Sequence, residues 1–287
     1  MKPRVGVIGV GAMGMGITRA LIARGFEVIV RDIVAEREAE AVKAGASAAA
    51  SAAEMARKVD VLMTVVVDAE QTRDVLFGSA GTRPPLVMMC STIAPSDTEQ
   101  IAQRLGEIPM LDAPISGGPA RAHAGTLSVM ASGSEAAFTV CAPVLDAMAA
   151  KVFRVSDRPG DGSRMKVVNN MLAAANLAAG CEAMAMAERL GLDQRQVLDV
   201  VNASSGASWI VADRMARALK NDYAPRAAAR VLLKDVGLFV EAAREYGLPA
   251  PMAECAQGVF RDTVNRGHGE EDDAAVLKRY VEAWHLR

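Results

Sequence analysis

Two side chains four residues apart, Lys166 and Asn170, have the types and spacing to move a proton. They lie in the segment GDGSRMKVVNN, where an alternation of strands and turns gives way to long helical sequence. No proline follows Gly162 until Pro225, and the stretch from Ser163 to Arg189 is rich in Ala, Met, Leu and Glu. This predicts one long helix starting near Ser163, a residue type suited to the N-cap. Positions i and i+4 share a helix face, so Lys166 and Asn170 project together about one turn from that start. The positive end of a helix macrodipole disfavours the charged form of a nearby lysine, which suits it to give and take a proton near neutral pH. An isolated K-x-x-x-N is ordinarily a surface lysine beside a solvated amide, so the remaining motifs have to decide.

A second constellation lies at the start of the chain. The β-branched run VGVI ends at Ile8 and is followed by Gly9-Val10-Gly11-Ala12-Met13-Gly14, then by helical sequence to Arg24, closed by Gly25. A second strand, Glu27 to Arg31, ends at Asp32, 23 positions after Gly9. Strand, glycine turn, helix, strand and acid in this order are the context of a dinucleotide fingerprint. Gly9 serves the tight turn, Gly11 the approach of backbone to a pyrophosphate, and Gly14 the packing of helix on strand. The pyrophosphate then sits at a helix N-terminus, where free N–H groups favour an anion. A carboxylate at Asp32 accepts hydrogen bonds from a ribose 2′-hydroxyl and repels a 2′-phosphate, which favours NAD over NADP. Arg31 is the complication, since an arginine there could accommodate the phosphate. As the last strand residue it is expected to point away from Asp32.

The elements that position these groups continue as strands near 59–67, 86–90, 108–115, 125–130 and 151–155, with helices between several of them. Ser51-Ala-Ala-Glu54 reads as a capping box. In a parallel sheet the loops after the strand C-termini form the ligand crevice, which puts Val66, Val67 and Thr92 on the cofactor side. Ser116, Gly117 and Gly118 follow a strand; a hydroxyl beside two uncovered backbone amides can bind a carboxylate, although a plain glycine turn has the same spelling. Beyond Gly162 the pattern is helical throughout. Helices are expected from Asp193 to about Asn202, Ser208 to Lys220, Pro225 to Tyr246 and Pro251 to about Arg266. A last one follows the acidic run Glu270-Glu271-Asp272-Asp273, read as its cap. The fold class is therefore an α/β Rossmann dinucleotide-binding domain over residues 1–162, followed by an all-α C-terminal domain over 163–287, with the long helix joining them.

Composition bounds the function. The chain has 287 residues, 51% hydrophobic and 23% charged, with formal net charge −2, an ordinary globular balance with length for two domains. The near-zero charge offers no basic surface for nucleic acid. Cys90, Cys141, Cys181 and Cys255 are far apart, and His123, His268 and His285 are isolated, so neither a metal centre nor a disulfide framework is expected. No run of about twenty apolar residues is free of charge and glycine, and the N-terminal MKPRVGVIGVGAMG is too short and broken in its apolar run for a signal peptide. A cytoplasmic protein that engages no membrane is expected.

Four segments in order resemble one family, the β-hydroxyacid dehydrogenases. They are GVGAMGMG from Gly9, DAPISGGPARAHAGTLSVMASG from Asp112, GDGSRMKVVNN from Gly160 and KDVGLFVEAA from Lys234. The resemblance covers almost the whole chain, and its second and third motifs are far more specific than a glycine fingerprint. It implies that Ser116, Gly117 and Gly118 bind a substrate carboxylate, that Lys166 is the catalytic lysine and that Asn170 holds the substrate beside it. It implies that Val66, Val67 and Thr92 contact the cofactor, that Lys234 reaches the cofactor from the helical domain, and that Asp235 lines the site. Asp32 matches the acid of NAD-using members, and Ile33 stands where NADPH-using members carry arginine. Ile115 replaces a commoner valine, and Val66-Val67 stands where Leu-Pro is common. The segments NASSGASW from Asn202 and GHGEEDDAAVLK from Gly267 resemble members that act on L-threonate.

The expected activity is NAD-dependent, reversible hydride transfer to or from a small hydroxycarboxylate such as 3-hydroxyisobutyrate or L-threonate, in a homodimer or homotetramer. The alternatives are an NADPH-dependent reductase of glyoxylate, succinic semialdehyde or tartronate semialdehyde and, outside catalysis, an inactive dinucleotide-binding interaction module. Imine reduction fits less well, because Lys166, Asn170 and Ser116-Gly117-Gly118 are all present.

Overall fold

The computed structural model describes residues 2–78 and 81–285. By packing, the chain divides into two compact units, Met1–Lys166 and Val167–Arg287.

The first unit begins β1 (Val5–Ile8), α1 (Ala12–Ala23), β2 (Val28–Arg31), α2 (Ala35–Lys43), β3 (Ser47–Ala48), α3 (Ala52–Ala56) and β4 (Val61–Thr64). It continues α4 (Ala69–Phe77), β5 (Val87–Met89), α5 (Pro95–Leu105), β6 (Met110–Asp112), β7 (Ile115–Ser116), α6 (Gly118–Ala124), β8 (Leu127–Ser132), α7 (Glu135–Met148) and β9 (Ala149–Ser156). The runs VGVI and VLMT are buried at every position, as expected of central parallel strands covered on both faces. The sheet order is β3-β2-β1-β4-β5-β6-β8-β7, with β9 beside β8. From β3 through β6 the pairing is parallel; β8 runs antiparallel to β6 and β7 and parallel to β9. The chain passes from β1 outward to β3 and returns to the other side of β1 at β4. That reversal leaves a crevice beyond the strand ends, where ligands of such sheets bind.

Local chemistry accounts for most boundaries. Asp68, Ser134 and Ser51 cap α4, α7 and α3 by accepting the backbone N–H three residues on. Glu54 reaches back to the N–H of Ala50, so the capping box closes one residue earlier than the usual form. The single strand expected over 108–115 is two. Pro114 has no N–H for a ladder, so β6 ends at Asp112 and the chain turns to pair β7 with β8. The short helices α2 and α6 are additions to the pattern expected from sequence.

A 29-residue helix, α8 (Asp161–Arg189), passes from the first unit into the second. Then come α9 (Gln194–Asn202), α10 (Trp209–Ala218), α11 (Ala229–Glu245), α12 (Pro251–Thr263) and α13 (Val276–His285). Leu177, Cys181, Met215, Val236 and a fully buried Phe260 form the centre of the second unit. α11 starts at Ala229, four residues later than expected from Pro225, because Ala228 pairs in an isolated antiparallel bridge with Asp272.

The acidic run also does more than cap. Arg214 Nε and Nη2 meet the Asp273 carboxylate at 2.5 and 3.1 Å, and Arg217 Nη1 lies 3.1 Å from Asp272 Oδ2. Burial pushes the Asp273 carboxyl up to about 6, with Arg214 opposing the shift. Cys90, Cys141 and Cys181 are buried as expected of inert thiols, whereas Cys255 is exposed. No helix among the described residues is long and apolar enough to cross a membrane.

Candidate active site

Gly9 takes a φ of 92°, and a Cβ there would stand 2.4 Å from the Val65 carbonyl oxygen. At Gly14 a Cβ would stand 1.9 Å from the Gly9 carbonyl oxygen. Both positions demand glycine for the turn and for the seat of α1 on β1. Gly11 differs. A Cβ there would have only the Arg37 guanidinium as a neighbour, at 3.8 Å, so the protein's own packing does not require glycine. Gly11 caps α1 with no side-chain hydrogen bond. Open space above an uncapped helix start fits the approach of a pyrophosphate, and so a dinucleotide fits the residues present. Val10, Ala12 and Met13 complete the loop and the first turn of α1.

Asp32, at the end of β2, is buried. Its Oδ2 accepts the Val10 N–H at 2.7 Å and its Oδ1 accepts the Val34 N–H at 2.9 Å. Each oxygen keeps lone-pair capacity for a further donor. Arg31 pairs with Glu38 at 2.9 Å, and the same Glu38 oxygen accepts the Asp32 N–H at 3.1 Å. Ile33 is 95% exposed. Arg37 was not singled out by the motif reading, because it lies outside the fingerprint, on the first turn of α2.

Val66 and Val67 follow β4. The Val66 N–H donates to Ser91 Oγ at 3.1 Å, so a buried serine next to Thr92 ties the loop after β4 to the loop after β5. Thr92 itself is half-buried. Ser116 ends β7 opposite Ser128. Gly117 and Gly118 have φ of 132° and 75°, in the region that favours glycine. A Cβ at Gly117 would strike the Arg121 side chain at 2.8 Å, whereas at Gly118 nothing lies within 4 Å. Gly118, like Gly11, exposes backbone that the protein does not cover.

The start of α8 departs from expectation. The helix begins at Asp161, and Ser163 lies inside its first turn instead of capping it. The cap comes from the sheet. Asp112, the last residue of β6, accepts the N–H of Gly160 at 2.9 Å and of Ser163 at 2.8 Å on Oδ2, and the Ser163 hydroxyl at 2.9 Å on Oδ1. Ser132, its register partner at the end of β8, accepts the Gly162 N–H at 2.9 Å. Burial pushes the Asp112 carboxyl up, and the donors from Ser163, Gly160 and Ser132 pull it back. Lys166 therefore stands one turn from a helix end already paired with a carboxylate, not from a bare positive pole. Its side chain is buried, 7% exposed.

One turn further along α8, in the second unit, Asn170 is also 7% exposed and donates through Nδ2 to Asp235 Oδ2 at 2.6 Å. Lys234 forms an ion pair with Asp235 Oδ1 at 2.6 Å. Asn170, Lys234 and Asp235 are thus brought together around one buried carboxylate.

A glycine turn at the switch point of a parallel sheet, an acid closing the second strand and a buried lysine mark a nicotinamide-nucleotide oxidoreductase. Residues 4–156 match the NAD binding domain of 6-phosphogluconate dehydrogenase, and residues 160–280 match the NAD-binding domain of NADP-dependent 3-hydroxyisobutyrate dehydrogenase. L-threonate dehydrogenase of Escherichia coli (strain K12) is 41% identical over 282 residues, covering 96% of this chain and 93% of that protein. The enzyme of the same name from Cupriavidus necator is 40% identical, covering 97% of this chain and 96% of that protein. A crystal structure described as 3-hydroxyisobutyrate dehydrogenase from Salmonella typhimurium superposes with a TM-score of 0.89 at 43% identity, covering 96% of this chain and 99% of that one. The chain belongs to the β-hydroxyacid dehydrogenase family, among the relatives of 3-hydroxyisobutyrate dehydrogenase. It is a nicotinamide-dependent hydroxyacid dehydrogenase.

Proposed function

We propose that the protein interconverts a short sugar-acid-like hydroxycarboxylate of the L-threonate type and its oxo acid, with NAD as the preferred cofactor. The observation that carries this reading is Lys166, a buried lysine one helical turn before a buried asparagine. Burying an ammonium group is costly, and such placements cluster at functional sites. The substrate class follows from the L-threonate dehydrogenases to which the chain is similar. The cofactor preference follows from Asp32, whose charge opposes a 2′-phosphate, and from Glu38, which engages Arg31. Arg37 adds a cation beside the glycine loop that would favour the phosphates of either dinucleotide.

In this mechanism Ser116 and the backbone of Gly117 and Gly118 hold the substrate carboxylate, which fixes the carbinol carbon for transfer. Lys166 Nζ takes the hydroxyl proton during oxidation and returns it during reduction. Asn170, held by Asp235, orients the hydroxyl. Val66, Val67 and Thr92 would bound the nicotinamide side, and the family resemblance adds Lys234 as a cofactor contact. When bound, the nicotinamide accepts or returns the hydride.

Reduced-cofactor absorbance, read with a panel of L-threonate, D-erythronate, 3-hydroxyisobutyrate, D-glycerate and 4-hydroxybutyrate, and with NAD and NADP in parallel, tests the reading. Turnover of L-threonate with NAD is expected. Activity confined to NADP, in the direction of semialdehyde reduction, would favour the reductase alternative. Lys166→Ala should lower turnover by about 10²–10⁴ while leaving cofactor affinity nearly intact; near-normal turnover would remove Lys166 from the mechanism.

This reading includes a homo-oligomer. Val168, Leu172 and Met186 are about half exposed on α8, with the exposed Ala179 and Ala183 between them. At 100° per residue these positions form one stripe on the face opposite Lys166 and Asn170. Their spacing suits the same helix of a second copy. Leu172→Glu with Met186→Glu should shift light-scattering mass to the monomer; an unchanged mass would place the interface elsewhere.

A further inference from the structure

The geometry points to Asp112 as a positioning residue that sets where Lys166 stands. The inference rests on the role proposed for Lys166 and extends it to a side chain that meets no reacting atom. Asp112 is fully buried at the end of β6, and its hydrogen-bond partners are the two backbone N–H groups and one hydroxyl at the start of α8, together with the Ser132 hydroxyl at 3.3 Å. A helix leaves its first four N–H groups without intrahelical partners. Here Asp112 and Ser132, from neighbouring strands, take those of Gly160, Gly162 and Ser163.

The approach is as close as the backbone allows. A Cβ at Gly162 would lie 2.5 Å from the Met130 carbonyl oxygen and 2.9 Å from that of Asp112. A second strut comes from α5, where Thr98 Oγ1 lies 2.9 Å from Ser163 Oγ. The first turn of α8 is thereby fixed to the sheet through the amides of Gly160, Gly162 and Ser163 and to α5 through the Ser163 hydroxyl, and Lys166 follows Ser163 by less than one turn. A buried carboxylate is costly unless its oxygens are satisfied. Spending one at this point makes sense where a helix start has to be held to a fraction of an ångström. Asp112 and Ser132 thus do for the acid–base lysine what an N-cap does for an ordinary helix. They act from 30 to 51 residues upstream of the amides they hold.

The test is a double-mutant cycle on the full-length protein, with kcat, both KM values and cofactor affinity by fluorescence. Asp112→Asn preserves shape but sets an amide against backbone donors. It should lower kcat about 10-fold or more, on the scale of displacements that disturb reacting geometry, while KM for NAD and for the hydroxyacid stays within about 2-fold. In the Lys166→Ala background the same change should alter residual turnover less than about 2-fold, because the group it positions is gone. Ser163→Ala removes one strut and keeps the carboxylate; a smaller kcat loss with the same split is expected, and this variant answers the question if Asp112→Asn does not fold. An unchanged kcat in both variants, or an equal loss with and without Lys166, would overturn the inference. Near-normal turnover of Lys166→Ala alone would instead overturn the reading on which it rests.

Discussion

The two units of the chain bury carboxylates in opposite ways. In Met1–Lys166, Asp32 and Asp112 accept backbone N–H groups, those of Val10 and Val34 for one and of Gly160 and Ser163 for the other, with the Ser163 and Ser132 hydroxyls added at Asp112. In Val167–Arg287, Asp272 and Asp273 are met by the guanidinium groups of Arg214 and Arg217. Backbone donors fix the position of a loop or helix start and survive every side-chain substitution except proline. A guanidinium can be removed, leaving its partner buried and unpaired. The first arrangement locates the backbone of the glycine loop and of the start of α8, whereas the second pins one segment to another. Asp272 also accepts the Arg226 N–H at 3.0 Å, and the Asp273 N–H donates to the Ala227 carbonyl at 2.8 Å. The acidic turn is thereby tied to the start of α11, the helix that carries Lys234 and Asp235.

The sharpest way to break the comparison is to remove one partner in the second unit. Arg214→Met should cost about 3–5 kcal/mol, because it strands Asp273 beside Asp272 in the interior. Adding Asp273→Leu should recover most of that loss, since the whole pair is then replaced by apolar volume. Both tryptophans, Trp209 and Trp284, belong to this unit, so urea unfolding followed by their fluorescence reads it selectively. A single variant as stable as the parent would mean that the pair is solvated or dispensable.

The same contrast explains what the sequence made legible. The glycine turn could be read because its glycines lie within six residues of one another, with Gly14 packed on Gly9, even though Gly9 itself meets the distant Val65 carbonyl past β4. The caps at Ser51, Asp68, Ser134 and Asp193 are equally local, each accepting an N–H three residues ahead. The clamp from Asp112 to α8 spans 48 and 51 residues, and the Arg214–Asp273 pair spans 59; no local pattern announces either. Ser163 illustrates the consequence. Its type suggested an N-cap, and the distant carboxylate that took the helix amides displaced it into the first turn. The break between β6 and β7 was legible in principle, because Pro114 interrupts the run. Asn170 could be placed near Lys166 by helix periodicity, but its bond to Asp235 depends on how α11 packs within the helical unit.

A smaller effect sharpens the comparison from the other side. Asp32→Asn removes charge from a backbone-held carboxylate and sets one amide hydrogen pair against the Val10 or Val34 N–H. Stability should change little beside the Arg214 variant, because the loop keeps one acceptor for one of its two amides. The change should fall on cofactor choice instead. A hydrogen bond to a charged acceptor contributes about 1.5–3 kcal/mol, so losing it at the 2′-hydroxyl should weaken NAD by roughly 10- to 100-fold. Loss of the same charge relieves repulsion of a 2′-phosphate, and NADP should gain. The ratio of kcat/KM for NAD to that for NADP is the measurement. A ratio that collapses while the urea midpoint holds would assign Asp32 to recognition; a lowered midpoint with an unchanged ratio would leave it a loop-holding residue, with the NAD preference set elsewhere.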